Sequence, residues 1–416
     1  MRREPEAQAS SRSLYAFGFT SFFNDTASEM AYWVLPAFLA TIGAGPAQLG
    51  LIEGIAESVA SLAKLFSGYL ADRWSRRKPL VVTGYILANA VKPLLGFVTW
   101  WGEVLAIRFV DRLAKGARGT ARDVMVAESV PRERIGSAYG LIQAMDSAGA
   151  IVGPLCALLV LAVGRDLRSV FFTAAIPGSL CVIVAGFCIR ETKGVASPRD
   201  SSADTAEEHR DIALAAHGAF PARTASHRLP RRFYQVLFAV ALFSLGNSSD
   251  MFLVLRAESV GIPVSLAPLL GLVFNLTYTL AAWPAGRLSD RVSRPVVAGL
   301  GYLVFALVYL VFGMGSSTRL IWAAMAFYGL FYALTTPVLK ALVVETVSAE
   351  IRGRALGVYF SVTSVAALLA SVIAGELWKF YGPPLPFFLS AAAAVVSVFL
   401  LWVGGFSSTK ESSNEM

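Results

Sequence analysis

The segment Gly68-Tyr-Leu-Ala-Asp72-Arg73-Trp-Ser75-Arg76 recurs as Gly286-Arg-Leu-Ser-Asp290-Arg291-Val-Ser293-Arg294, 218 positions later counting from Asp72 to Asp290. Each copy closes one long apolar stretch and is soon followed by another. A chain that carries one hydrophilic turn at one register in both halves is built from two like-made halves. A second repeat fixes that register independently. Glu128-Ser-Val-Pro-Arg-Glu-Arg-Ile-Gly136-x-Ala-x-Gly140 aligns without gaps on Glu345-Thr-Val-Ser-Ala-Glu-Ile-Arg-Gly353-x-Ala-x-Gly357.

The stretches between these turns decide the class. The chain is 56% apolar and 15% charged, with a mean hydropathy of +0.60, whereas soluble proteins carry charge on about a quarter of their residues. Twelve apolar stretches of roughly 20 residues can be laid out, the length that crosses a bilayer core. Their approximate bounds are 14–42, 48–70, 80–101, 104–127, 136–163, 169–189, 234–257, 265–286, 295–314, 318–343, 354–377 and 385–405. In lipid each backbone polar group has to be satisfied within its own segment, which makes the spans helices and excludes an open sheet. The expected fold is an all-α polytopic membrane protein of twelve transmembrane helices in two pseudo-symmetric six-helix bundles. The halves are residues 1–189 and 233–416, joined by a polar, aperiodic linker at 190–232.

Charge sets the orientation. Arg73, Arg76, Arg77 and Lys78, then Arg132 and Arg134, Arg291 and Arg294, and Arg352 all fall on one set of loops, with Arg2, Arg3 and Arg12 at the N-terminus. The positive-inside rule then puts both termini and the repeated turns in the cytoplasm of a bacterial cell whose inner membrane the chain spans. The net charge of +8 is what such loops carry and calls for no nucleic acid. Met1 to Arg12 is polar, and no cleavable signal peptide is visible. His209, His217 and His227 all lie in the linker, outside the spans and without zinc-like spacing. Cys156, Cys181 and Cys188 sit in apolar stretches and read as buried small side chains. No metal and no cofactor is expected.

These residues resemble the major facilitator superfamily over nearly the whole chain. Its best-known signature is Gly-x-x-x-Asp-Arg/Lys-x-Gly-Arg/Lys-Arg/Lys between helices 2 and 3. Gly68, Asp72, Arg73, Arg76 and Arg77 match it, with Ser75 in place of the glycine; Gly286, Asp290, Arg291 and Arg294 match it again, with Ser293 in the same exchange. Arg112-Leu-Ala-Lys115-Gly116 is similar to the family's Arg-x-x-x-Gly in helix 4. Gly149-x-x-x-Gly153-Pro154 resembles the Gly-Pro pair of helix 5 common among exporters, with Ala157 where a further glycine is usual. The resemblance implies alternating access, helices 1, 4, 7 and 10 around a central cavity, and Gly153 and Pro154 as a hinge in helix 5. It needs a small-molecule solute and protons as partners, a bilayer, and a single copy of the chain.

Charges inside spans are costly and are kept mainly for function or pairing. Arg108, Asp111, Arg112, Lys115, Arg118 and Arg122 recur at helical spacing along span 4, so they share a face. Arg118 and Arg122 read as a charge cluster at its inner end; Arg108 and Arg112 lie deeper. Span 1 offers Asn24, Asp25 and Glu29, span 2 Glu53, Glu57 and Lys64, and span 5 Asp146. Facing span 1 with span 4 brings Asp25 and Glu29 towards Arg108 and Arg112. Two readings stand. Asp25 or Glu29 takes and releases a driving proton while Arg112 competes for the carboxylate, with Asp146 nearby; or these groups form a static salt-bridge network. In the C-half, Ser249-Asp250-Met251 echoes Ser28-Glu29-Met30. Asp250, with Asn247, Asn275, Tyr328, Tyr332 and Asn24, supplies the candidates for binding solute by hydrogen bonding and stacking. Gly68, Asp72, Arg73, Arg76, Gly286, Asp290 and Arg291 form the expected cytoplasmic gate, the aspartates latching onto arginines or a helix N-terminus.

No Gly-x-x-x-x-Gly-Lys-Ser/Thr sequence is present, so ATP drive within this chain is not expected. The chain has no histidine cluster, no Gly-x-Ser-x-Gly elbow and no metal spacing, so an enzyme is not expected either. The leading expectation is a secondary transporter, proton-coupled, that exports a small organic solute, an anionic one included. Proton-coupled import of an anionic metabolite, or a receptor or scaffold that kept the fold, are the alternatives.

Overall fold

Proline and polar residues, more than hydropathy, punctuate the helices. The computed structural model describes residues 4–73, 77–130, 135–191, 229–315, 317–347 and 351–411. They form α1 (Glu4–Tyr32, continued after a turn by Leu35–Thr41), α2 (Pro46–Arg73), α3 (Lys78–Val91, tightening to a 3-10 turn over Lys92–Phe97) and α4 (Trp101–Glu128). Next come α5 (Ile135–Ala162), α6 (Leu167–Thr173 and Ala175–Cys188), α7 (Arg231–Gly246 and Met251–Ser259) and α8 (Ala267–Arg291). The last four are α9 (Arg294–Met314), α10 (Thr318–Glu345), α11 (Arg352–Tyr381) and α12 (Pro384–Glu411). Pro79, Pro268 and Pro295 sit in the first turns of α3, α8 and α9, where a missing N–H costs nothing.

Nine of these helices are long and apolar enough to cross a membrane by length and composition alone. The remaining three, α1, α2 and α4, carry most of the charges that the sequence singles out inside spans. The chain is a polytopic helical membrane protein of twelve transmembrane helices in two pseudo-symmetric bundles. Packing separates the described residues of Met1–Gly43 and Val59–Ala219 from those of Ala44–Ser58 and Phe220–Met416. The first half of α2 therefore belongs with the second unit, where Ser58 Oγ donates to the Ser364 carbonyl of α11 at 2.9 Å. In the first unit α1 packs on α5 and α6, and α3 on α4 and α6; in the second α7 packs on α11 and α12, and α9 on α10 and α12. The two halves use one pairing scheme. Leu159, Phe187, Leu280 and Phe399 stand exposed, as a hydrocarbon solvent allows.

Four spans differ from the continuous helices expected, the stretch 169–189 among them, which is interrupted at Ala174. The stretch 14–42 is interrupted between Tyr32 and Leu35, because Pro36 has no N–H to give to the turn before it. Pro93 does the same to α3. The stretch 234–257 is broken over 247–250, where Asn-Ser-Ser-Asp side chains compete with the backbone for hydrogen bonds. Ser249 N–H leaves the helix ladder and bonds Ser371 Oγ at 3.1 Å. Of the cysteines, Cys181 is buried and Cys156 half-buried, but Cys188 at the end of α6 is exposed, against expectation. The histidines and most of the linker lie outside the described residues.

Arginines at the other set of turns do more than mark topology. Arg256 donates to the Phe312 and Gly313 carbonyls at 2.9 and 3.3 Å, and Arg168 to the Gly96 carbonyl at 2.7 Å. Each satisfies carbonyls that a helix end leaves open. At the start of α4 the Glu103 carboxylate accepts the Thr99 and Trp100 N–H groups at 2.9 and 3.2 Å. The Thr99 bond foremost, then that from Trp100, holds the Glu103 pKa below the usual glutamate value.

Candidate functional site

In the first unit a cavity of about 60 Å³ is lined by Asp25, Ser28, Glu29, Tyr32, Lys92, Arg108, Asp111, Arg112 and Lys115, among others. That volume is large enough to admit water. Of the five residues expected to couple protons, Asp25, Glu29, Arg108 and Arg112 meet here. Asp146 does not line the cavity; it lies on α5 beside Ser21 and within electrostatic reach of Asp25 and Arg122.

The acids differ in how they are held. Asp25 accepts from its neighbour Asn24 Nδ2 at 2.9 Å and makes no ion pair among the described residues. Glu29 accepts from Trp33 Nε1 at 2.7 Å, across the break in α1. Asp111 is ion-paired, with Lys92 Nζ 3.3 Å from one oxygen and Arg108 Nη1 4.0 Å from the other. Arg108 also lies 5.7 Å from the centre of the Tyr32 ring, within cation–π range.

Lys92 is the residue the sequence reading passed over. It is the one charge in the apolar stretch 80–101 and precedes a proline. Its side chain runs back along α3 to the Ala88 carbonyl at 3.2 Å and Asn89 Oδ1 at 3.4 Å. Arg118, expected in a charge cluster at the inner end of the span, is 5% exposed. It donates to Asn24 Oδ1 at 3.1 Å and stacks 4.5 Å from the Tyr85 ring centre. A buried guanidinium needs such partners, and Asn24 supplies one here, on the α1 turn that carries Asp25. Arg122 is half-buried and bonds Asp123 and Ser21 at 2.9 and 3.0 Å.

Two glycines of α5 set the seam beneath this wall. A Cβ on Gly149 would come 2.5 Å from the Phe22 carbonyl, and one on Gly153 would come 2.7 Å from the Thr26 carbonyl and 2.8 Å from Glu29 Cβ. The Gly153-Pro154 pair sits within an unbroken helix, and its visible role is this close approach.

In the second unit the break in α7 sets Asp250 against α10. Tyr328 Oη donates to Oδ1 of Asp250 at 2.7 Å, and Tyr332 Oη lies 3.1 and 3.0 Å from the two oxygens. Three of the solute-binding candidates therefore form one cluster. Asn275 is buried on α8. Asn247 ends the first segment of α7, and its buried Oδ1 has no hydrogen-bond partner among the described residues.

The repeated turns meet the second repeat. Arg77 Nη1 pairs with Glu128 Oε1 at 2.6 Å, tying the α2–α3 turn to the end of α4. Arg294 pairs with Glu345, tying the α8–α9 turn to the end of α10. The expected gate residues are less visible. Gly68, Asp72 and Arg73 lie in α2 and Asp290 in α8, but their side chains, like the whole of Arg76, lie outside the described residues. Gly286 is half-buried in α8 and Arg291 is exposed at its end.

A family model described as the Major Facilitator Superfamily matches residues 17–256 and 236–415. An uncharacterised MFS-type transporter of Methanocaldococcus jannaschii is 32% identical over 402 residues, covering 94% of both chains. Multidrug resistance protein MdtG of Proteus mirabilis is 22% identical over 411 residues, covering 97% of this chain and 98% of its own. The solved structure of a variant of the nucleoside transporter NupG matches with a TM-score of 0.74 at 15% identity, over 94% of this chain and 99% of that one, which is a likeness of fold. With both halves matched by one family model and a relative aligned nearly end to end, the chain belongs to the major facilitator superfamily of membrane transporters.

Proposed function

We propose that this transporter is driven by protons and exports a small organic solute by alternating access. It works as a single copy in the bacterial inner membrane, with both termini and the 190–232 linker in the cytoplasm and the repeated turns gating that side. The observation that carries the coupling is the wall of the first-unit cavity. Asp25 lines it with an asparagine as its hydrogen-bond donor, while Arg108, Asp111 and Arg112 line it too. A carboxylate beside water and cations can change protonation as its surroundings change, and Asp25 is assigned that role, with Glu29 held by Trp33 as its neighbour. The direction rests on similarity to MdtG, a protein named for multidrug resistance.

The test is transport in proteoliposomes under an imposed pH gradient. Wild type accumulates solute in response to the gradient. Asp25→Asn exchanges solute in counterflow but does not respond to pH; gradient-driven uptake by this variant would remove Asp25 from coupling. A second reading, import of an anionic metabolite, is favoured by the four cations Lys92, Arg108, Arg112 and Lys115 around the cavity against the acids Asp25, Glu29 and Asp111. Reversing the gradient in the same vesicles separates import from export.

A further inference from the structure

The second unit carries a site of opposite chemistry. Asp250 stands at the break in α7, where the chain leaves the helix over 247–250. Irregular backbone at membrane depth is found where it lines a cavity or is covered by protein. Its two oxygens meet the hydroxyls of Tyr328 and Tyr332, one turn apart on α10. Behind them, one turn apart on α8, stand Phe274 and Tyr278. The four rings touch as a group, with centroids 5.1 Å apart for Phe274 and Tyr332, 5.4 Å for Tyr328 and Tyr332, 6.2 Å for Tyr278 and Tyr332, and 6.3 Å for Phe274 and Tyr278. Asp250, Tyr278 and Tyr332 keep part of their surface accessible.

The charge of this group is one-sided. Asp250 makes no ion pair among the described residues. Glu57 and Glu53 of α2, in the same unit and within electrostatic reach of it, are also acids. Tyrosine hydroxyls satisfy the lone pairs of a carboxylate without supplying a positive charge. Aromatic faces present negative charge to whatever approaches them. Such a surround rejects an anion and gives a neutral molecule little beyond contact area. A desolvated cation gains from both the carboxylate and the ring faces.

We propose that Asp250, Tyr328, Tyr332, Phe274 and Tyr278 form the recognition site for the ammonium head of a lipophilic organic cation. This rests on the reading of the chain as a transporter of small organic solutes, and it narrows that solute to a cationic class. It stands against the anionic-metabolite reading.

The experiment uses the full chain in lipid nanodiscs and three probes of one size: benzyltrimethylammonium, its uncharged isostere neopentylbenzene, and phenylacetate. Calorimetry should give the cation a Kd at least about tenfold below those of the other two, as expected for about 1.4 kcal/mol or more of charge and ring attraction. Asp250→Asn should remove that preference. Phe274→Leu and Tyr278→Leu, which leave the carboxylate in place, should weaken cation binding severalfold without strengthening phenylacetate. They carry the test if the Asp250 variant fails to fold. Equal binding of cation and isostere, tighter binding of phenylacetate, or cation binding that neither leucine variant weakens would each overturn the site. Counterflow in proteoliposomes keeps the two readings apart. Cation binding without flux of any solute sinks the transporter reading and leaves the site, whereas flux of solutes without cation binding does the reverse.

Discussion

Tyr332 reaches both oxygens of Asp250, at 3.1 and 3.0 Å, while Tyr328 one turn away donates to Oδ1 alone at 2.7 Å. The two hydroxyls are not equivalent. Tyr328 is fully buried, and Tyr332 keeps some exposure. Water can replace the Tyr332 hydroxyl but not that of Tyr328. Tyr328→Phe should therefore cost about 1.5–3 kcal/mol, the worth of a hydrogen bond to a charged group, and Tyr332→Phe clearly less. Unfolding by SDS titration in mixed micelles measures both. Equal losses would mean that water reaches both hydroxyls alike.

Part of this arrangement was legible in the sequence. The two repeats and the span lengths give the helix count and the two-fold plan, because polar turns between apolar runs have one solution in lipid. The shared face of Asp25 and Glu29 follows from helical spacing, and both line the first-unit cavity. What spacing does not encode is which helix meets which. The pairing of Arg294 with Glu345 joins residues from two separate repeats, and nothing along the chain says that they touch. Lys92 was overlooked because a lone lysine in an apolar stretch has no periodic companion. Its meaning comes from Asp111 on the neighbouring helix. The break in α7 lay in plain view as Asn-Ser-Ser-Asp, yet mean hydropathy across 234–257 hides it.

The Lys92–Asp111 pair gives a second prediction. Both residues are under a tenth exposed, and removing one partner leaves the other charge buried. Lys92→Met or Asp111→Asn alone should cost about 3–5 kcal/mol at most. Arg108 stands 4.0 Å from the other Asp111 oxygen and so softens the loss of Lys92 more than the loss of Asp111. The double variant should recover part of the sum, with a coupling of about 1–3 kcal/mol. A double-mutant cycle by SDS titration reads that coupling directly. Strict additivity would mean that the two charges are solvated independently.

The N-terminus of α4 predicts a response to acid. Backbone N–H groups of Thr99 and Trp100 bond the Glu103 carboxylate and lower its pKa in the folded chain. A lowered folded value means that the stabilisation is present above the ordinary glutamate range. It is lost as pH falls through that range to the lowered value. Glu103→Gln removes this response, since an amide does not titrate. The thermal midpoint of the wild type should therefore fall towards that of the variant as pH drops from neutral to the acid side of the glutamate range. Parallel curves over that interval would exclude the cap as a source of acid sensitivity.

The α1–α5 seam links packing to transport. Asp25 and Glu29 sit one turn apart on the α1 face that lies over Gly149 and Gly153. A methyl on Gly153 would stand 2.7 Å from the Thr26 carbonyl and 2.8 Å from Glu29 Cβ, inside van der Waals contact with backbone that cannot swing away. Gly153→Ala has to push α1 off α5, at about 1–3 kcal/mol, and in doing so shifts the carboxylate that Trp33 holds. Gly140→Ala on the same helix is the control, since a Cβ there meets nothing within 4 Å. The Gly153 variant should lose stability and transport together, with a greater fall in turnover than in apparent affinity. The Gly140 variant should match the wild type in both, apart from a small gain in stability from the better helix former. Full turnover in Gly153→Ala, at reduced stability, would show that the seam supports the bundle without placing the site.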